Sequence, residues 1–309
     1  DTMWVCLFNK DNSTPLWHYV KSPFSPSSVA ISSDGQYIAA GLRSGSGAGG
    51  SIRYGEICLF NRTNSVPLWN YTIGEWILSV AISANGQYIA AGGLDNKVYF
   101  FNKTNTTPLW SYETAGRVNS IEISSDGQYI VAGTYENKVY LFNYTSNIPL
   151  WNYSAESGYK SLAISSDGQL IVVGGTTNGN VYFFNYTNHV PLWVYTRGDY
   201  NKKVAMSSDG QYIVIGHFDG IISLLDSTSK TILWNYRVGQ YVGGITISSD
   251  GKYVLAEGDD IIYLIPTSYK PPPNYSFIWS IILVCIGLCV LAVFLYSLYY
   301  IIFKRKINA

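Results

Sequence analysis

Charge is scarce in this 309-residue chain and favours neither sign: 20 Lys and Arg stand against 20 Asp and Glu, and only 13% of residues are charged. Without a basic excess there is no electrostatic footprint for a nucleic-acid partner. Four cysteines, two of them inside one apolar run, cannot build the disulfide framework of a small stapled domain. Three histidines, none spaced with another His, Cys or carboxylate as a zinc site requires, give no metal centre. A nucleophile elbow, a phosphate-binding loop and a dinucleotide fingerprint are also missing, so the chain is expected to be no enzyme and to carry no cofactor. What it has in quantity is aromatic surface, with 27 Tyr, 9 Trp and 12 Phe. Disorder is thereby excluded, and the fold must rest on a packed core.

A repeat organises most of the chain. Its turn glycines fall at Gly35, Gly86, Gly127, Gly168, Gly210 and Gly251, mostly in Ser-Asp-Gly, at spacings of 51, 41, 41, 42 and 41. A second phrase, usually Pro-Leu-Trp-x-Tyr, keeps step with Trp17, Trp69, Trp110, Trp151, Trp193 and Trp234. One unit, Ser79 to Tyr112, predicts four short strands: an apolar strand, an Asn-Gly turn, a return strand ending at Gly92, a third strand over Val98–Asn102 and a fourth around Trp110. Four strands per repeat of about 40 residues is the arithmetic of an all-β propeller, expected over residues 1–266. Seven third strands against six turn hairpins favour seven blades over six, with the first blade lacking two strands; in the six-blade alternative the strand around Leu16 completes the last blade.

The residues from Ser79-Val-Ala-Ile-Ser to Ala90-Ala-Gly resemble the first half of a WD-repeat. Those from Val98-Tyr-Phe-Phe-Asn to Leu109-Trp resemble the strand pair of pyrroloquinoline-quinone-type propeller repeats. Both resemblances imply a propeller over about residues 3 to 266, a fold that serves scaffolds, receptors and enzymes alike. The Gly-His pair and terminal Trp-Asp of WD-repeats are absent, as are the adjacent cysteines and carboxylate-amide calcium site of the quinone dehydrogenases. Exported, membrane-anchored proteins of this mixed type resemble archaeal cell-surface propellers.

Residues 276–303 contain no Asp, Glu, Lys or Arg over 28 positions, long enough to span a bilayer as one helix. Lys304, Arg305 and Lys306 follow, so residues 304–309 are expected to form a short basic cytoplasmic tail and the propeller to lie outside the cell. Residues 267–275, with Pro271, Pro272 and Pro273, read as a stalk. Nine Asn-x-Ser/Thr sequons, at Asn12, Asn61, Asn70, Asn102, Asn105, Asn143, Asn152, Asn185 and Asn274, suit an exported glycoprotein bearing N-linked glycans.

The Ser-Asp-Gly face repeats almost unchanged, whereas the opposite face varies between repeats, and divergence is where a binding surface is encoded. Its candidate residues are Trp76, Arg117, Tyr159, Arg197, Asp199, Tyr200 and Tyr241, with Trp76 or Tyr241 the aromatics best placed for a sugar. The function expected is a non-enzymatic cell-surface scaffold binding a protein or a glycan. An accessory extracellular subunit of a membrane complex is the alternative, and a quinone-dependent dehydrogenase-like enzyme the least favoured reading.

Overall fold

A computed structural model describes residues 5–9, 11, 13–45, 53–155, 161–174, 178–198 and 200–270. The expected membrane span 276–303, the tail 304–309 and the Pro-rich part of the stalk lie outside these residues. Among the described residues no helix is long and apolar enough to cross a membrane, and the chain is all-β.

Among the described residues, twenty-five strands form seven antiparallel sheets. The first holds two strands, β1 (Val5–Phe8) and β2 (Pro15–Tyr19). Five sheets of four strands follow. They comprise β3 (Ser25–Ile31), β4 (Tyr37–Ser44), β5 (Tyr54–Asn61) and β6 (Pro67–Ile73); β7 (Ile77–Ile82), β8 (Tyr88–Gly93), β9 (Lys97–Asn102) and β10 (Trp110–Glu113); β11 (Val118–Ile123), β12 (Tyr129–Thr134), β13 (Lys138–Asn143) and β14 (Trp151–Ser154); β15 (Ser161–Ile164), β16 (Leu170–Gly174), β17 (Asn180–Asn185) and β18 (Trp193–Thr196); and β19 (Asn201–Met206), β20 (Tyr212–His217), β21 (Ile221–Asp226) and β22 (Thr231–Arg237). The last sheet holds three, β23 (Ile245–Ile247), β24 (Tyr253–Gly258) and β25 (Ile261–Pro266). Within every sheet the order is sequential, as expected of propeller blades, and first strands pack on first strands of neighbouring sheets. The strand around Leu16 pairs with β1, Leu7 opposite Trp17, and not with the last sheet.

The turn chemistry explains why the hairpins close where they do. In the third hairpin the Asp126 carboxylate accepts the Gln128 N–H at 2.9 Å and the Ser124 hydroxyl at 2.6 Å, while the same hydroxyl accepts the Tyr129 N–H at 3.0 Å. Gly127 completes the turn at φ 78°, a left-handed conformation that suits glycine. Asn85 makes the equivalent bonds to Gln87 and Ser83, so one repeat without the Asp keeps the period. A backbone ladder joins successive turns: Ser33 N–H donates to the Ala84 carbonyl at 2.9 Å, Ala84 to Ser125 at 2.9 Å, Ser125 to Ser166 at 3.0 Å, Ser166 to Ser208 at 2.8 Å and Ser208 to Ser249 at 3.3 Å.

Second and third strands of the five four-stranded sheets are buried on both faces, whereas β24 of the last sheet alternates between buried and exposed residues and β25 is mostly exposed. Ile89, Ala90, Phe100 and Phe101 are all fully buried. The tryptophans lock one sheet to the next. Trp69 stacks on Phe101 with centroids 5.3 Å apart and donates its indole N–H to the Lys103 carbonyl at 2.8 Å. Trp17, Trp110, Trp151 and Trp234 donate in the same way to Arg62, Tyr144, Tyr186 and Thr267. A buried aromatic satisfies its polar atom in this manner.

The compact unit runs from residue 1 to Tyr269. Thr267 donates to the Lys252 carbonyl, and Tyr269 packs edge-on to Trp234 and Tyr236, so the first residues after β25 remain tied to the sheets.

Candidate binding face

The sequence-varied ends of the sheets are the ones from which first strands start, and four first strands bulge there at one repeat position. The register slips by one residue between Pro26 and Ser28, Ile77 and Ser79, Val118 and Ser120, and Asn201 and Lys203. The extra residues are Ser27, Leu78, Asn119 and Lys202, different in each repeat. A bulge leaves its residue out of the ladder and re-aims the strand, so one structural position carries a different residue type in each of these four strands. Ser27, Leu78 and Asn119, with Pro26, Arg43 and Tyr135, line a groove of about 470 Å³. Arg43 and Tyr135 stand exposed at its rim.

The expected site residues distribute around this face. Trp76 is half-buried; its indole N–H donates to the Ser44 carbonyl at 2.8 Å, and the guanidinium groups of Arg43 and Arg53 lie 5.4 and 5.1 Å from its ring. What it offers a ligand is therefore an aromatic edge flanked by two guanidinium groups, that of Arg53 paired with Glu75 at 3.6 Å. Arg117 is exposed beside Tyr135, whose N–H its carbonyl accepts at 2.9 Å. Arg197 forms an ion pair with Asp219 at 2.9 Å; against the opposing effect of partial burial, the Ile221 N–H and then Arg197 hold the Asp219 carboxyl below the usual carboxylate range. Tyr200 is 56% exposed and meets Phe218, 59% exposed, edge-on at 6.2 Å, while Tyr241 is 38% exposed. Tyr159 and Asp199 lie outside the described residues.

Trp76 and Arg117 thus neighbour the groove on two adjacent sheets, whereas Arg197, Tyr200 and Tyr241 belong to later ones. Sequence reasoning did not pick out Ser27, Arg43, Leu78, Asn119 or Tyr135. The signal was present, because the residue preceding each Ser-Val-Ala-Ile-type strand varies widely between repeats, being Ser27, Leu78, Asn119, Lys160, Lys202 and Gly243 in turn.

Among the sequons, Asn70, Asn105 and Asn152 are exposed. Asn61, Asn102, Asn143 and Asn185 are half-buried, each accepting the N–H of its own Thr two residues on at 3.0 to 3.1 Å. Asn12 and Asn274 lie outside the described residues.

His217 and Cys58 are buried among the strands. His217 Nε2 lies 2.9 Å from Ser223 Oγ with both residues fully buried, and that hydroxyl donates to Asn235 at 2.6 Å. Cys6 and Cys58 are free thiols, and burial pushes Cys58 up to about 12, where no thiolate forms. Among the described residues no three His, Cys, Asp or Glu side chains gather as a metal site would need.

A further titratable group sits in a first strand. Glu122 occupies the place held by Ala81, Ala163 and Ala205 in other sheets. Part of its surface reaches solvent, yet its carboxyl is enclosed deeply enough for desolvation to push it up to about 7.

Comparison with curated proteins gives no match. Among solved structures, a chain in one titled "Crystal Structure of Mitotic Checkpoint Complex" is similar in fold, with a TM-score of 0.68 at 16% identity over 83% of this chain and 81% of that one. The family described as outer membrane protein assembly factor BamB matches residues 3–236. With three quarters of its length matched and its sheets arranged as the repeat requires, the chain belongs to this family of pyrroloquinoline-quinone-type propeller repeats.

Proposed function

We propose that this chain is a non-enzymatic binding propeller of seven blades, held outside the cell by a single membrane helix over residues 276–303, which grips a protein or glycan through its varied face. The observation that carries the reading is the groove whose lining comes from one bulged position in successive blades, occupied by Ser27, Leu78 and Asn119. A surface serving only the fold would repeat there, as the Ser-Asp-Gly turns do. Exposed aromatics at Tyr200, Phe218 and Tyr241 extend the same kind of surface, and aromatic side chains dominate binding hot spots.

A second reading has support of its own: the matched family is named for an assembly factor of membrane proteins, and a partner inside the membrane makes this chain an accessory subunit of a membrane complex. Cross-linking with mass spectrometry on native membranes tests both. Links from Lys203, beside the bulge in β19, with glycans on Asn70, Asn105 and Asn152, are the expected result. Links confined to Lys103 and Lys252, by the Ser-Asp-Gly turns, overturn the varied face as the binding surface. An integral-membrane protein as the linked neighbour decides for the accessory-subunit reading.

A further inference from the structure

One hairpin runs further toward the varied face than its neighbours. The ladder between second and third strands ends at Gly92–Val98 in one sheet and at Gly133–Val139 in the next. Between β4 and β5 it passes the equivalent pair, Gly41–Ile57, and adds Leu42–Glu56, Arg43–Gly55 and Ser44–Tyr54. Trp76 ties this extension to the next sheet, its indole N–H donating to the Ser44 carbonyl at 2.8 Å. Gly55 permits the approach, because a Cβ there would run into the Glu75 carbonyl oxygen and lie 2.8 Å from the Ile77 nitrogen.

The consequence is that two guanidinium groups are held over one ring. Arg43 and Arg53 lie 5.4 and 5.1 Å from the Trp76 centroid. Glu75 pairs with Arg53 alone, at 3.6 Å, longer than the roughly 2.7–2.9 Å of a charge-assisted hydrogen bond. Arg43 is exposed, forms no ion pair with a described residue, and lines the groove beside Ser27 and Leu78. A planar fork of donors, positioned by a ring and left without an acidic acceptor, is prepared for a carboxylate.

We propose that the Arg43 end of this groove is a carboxylate site, and that its ligand is an acidic segment of a partner protein. The proposal deepens the varied-face reading and rests on it. The Arg43 fork takes the carboxylate bidentately. Pro26 and Leu78 offer apolar surface to a neighbouring side chain of the segment, and Asn119 and Tyr135 offer hydrogen-bonding groups further along. A sugar fits less well, since a pyranose would have to stack on an aromatic face and the guanidinium groups lie over that of Trp76. A polyphosphate or nucleic acid needs a longer basic track than Arg43, Arg53 and Arg117, which stand against Glu75 and Glu136. An Asp or Glu side chain and a C-terminal carboxylate present the same group to Arg43.

The test selects binders from a random dodecapeptide display library on the full chain in mild detergent and measures them as synthetic peptides. Selected peptides should be enriched in Asp or Glu and bind with a Kd on the order of 10 μM. Arg43→Ala should weaken them at least about tenfold, and so should raising salt from roughly 50 to 500 mM. Arg43→Lys keeps the charge without the fork and should stay at least about threefold weaker than the parent. Lys252→Ala removes a charge at the Ser-Asp-Gly turns and should change nothing. Amidated peptides that still bind identify a side-chain carboxylate, and a requirement for the free acid identifies the C-terminal one; both support the site. Peptides without acidic groups that lose binding in Leu78→Asp but not in Arg43→Ala overturn the carboxylate site and leave the groove as the binding surface. Binding indifferent to both variants, or a library that yields no binder, overturns the proposal together with the groove. Uronic-acid oligosaccharides that bind more tightly than any selected peptide, and are weakened by Arg43→Ala, overturn the protein segment as the ligand.

Discussion

At the scale of single residues, the turn serines matter more than the more conspicuous aspartates. Ser124 is fully buried and bridges Asp126 and the Tyr129 N–H, whereas Asp126 also reaches solvent. Replacing Ser124 by Ala leaves the part-buried Tyr129 N–H without its acceptor and should destabilise the fold by about 1 kcal/mol, measured by urea denaturation. Two of the turn carboxylates contribute in a definite pH window. Ser32 and the Gln36 N–H hold the Asp34 carboxyl below its ordinary value, and Ser207 and the Gln211 N–H do the same for Asp209. Folded pKa values below unfolded ones mean stabilisation that is present above the unfolded value near 4 and lost as pH falls through the folded one. The turns were legible in the sequence because Asp-Gly and Asn-Gly carry their mechanism with them. The serine's part was not, since Ser fits loops and strands alike and only burial reveals its bridging role.

At the scale of elements, a glycine near the end of several second strands sets how closely sheets approach. A Cβ on Gly92 would run into Val118 of the next sheet, and one on Gly41 would run into Ile77. Gly92→Ala should therefore destabilise by about 1–3 kcal/mol through overpacking, while Gly74→Ala, on an exposed loop with nothing within 4 Å, should cost far less. Strand positions followed from the 41-residue spacing and from alternating aromatic and aliphatic residues, because each strand is bounded by its own turn signal. The bulges were hidden, since an extra residue at a strand's start looks in one dimension like loop variation. For that reason the groove lined by Ser27, Leu78 and Asn119 escaped the sequence, while Trp76 and Arg117 beside it stood out by departing from the repeat.

At the scale of the whole molecule, one carboxyl among first strands makes stability depend on pH near neutrality. Glu122 has a folded value of about 7 against an ordinary 4.5. Its folded value exceeds its unfolded value, so the folded state binds more protons between the two. Stability is highest below about 4.5 as far as this group is concerned and falls as pH rises through 7. Glu122→Gln should flatten that fall, read as the difference in urea midpoint between variant and parent from pH 5 to pH 8.

The ladder from Ser33 to Ser249 runs in one direction, each blade leaning on its immediate neighbour. Such an array has ends as well as a middle, and its load is shared in series. Drawn out by its termini in a force experiment, it should not yield in one event. The two-stranded and three-stranded end sheets should peel first at low force, and the four-stranded sheets should then release one at a time, giving a sawtooth whose teeth are spaced by about 41 residues of freed chain.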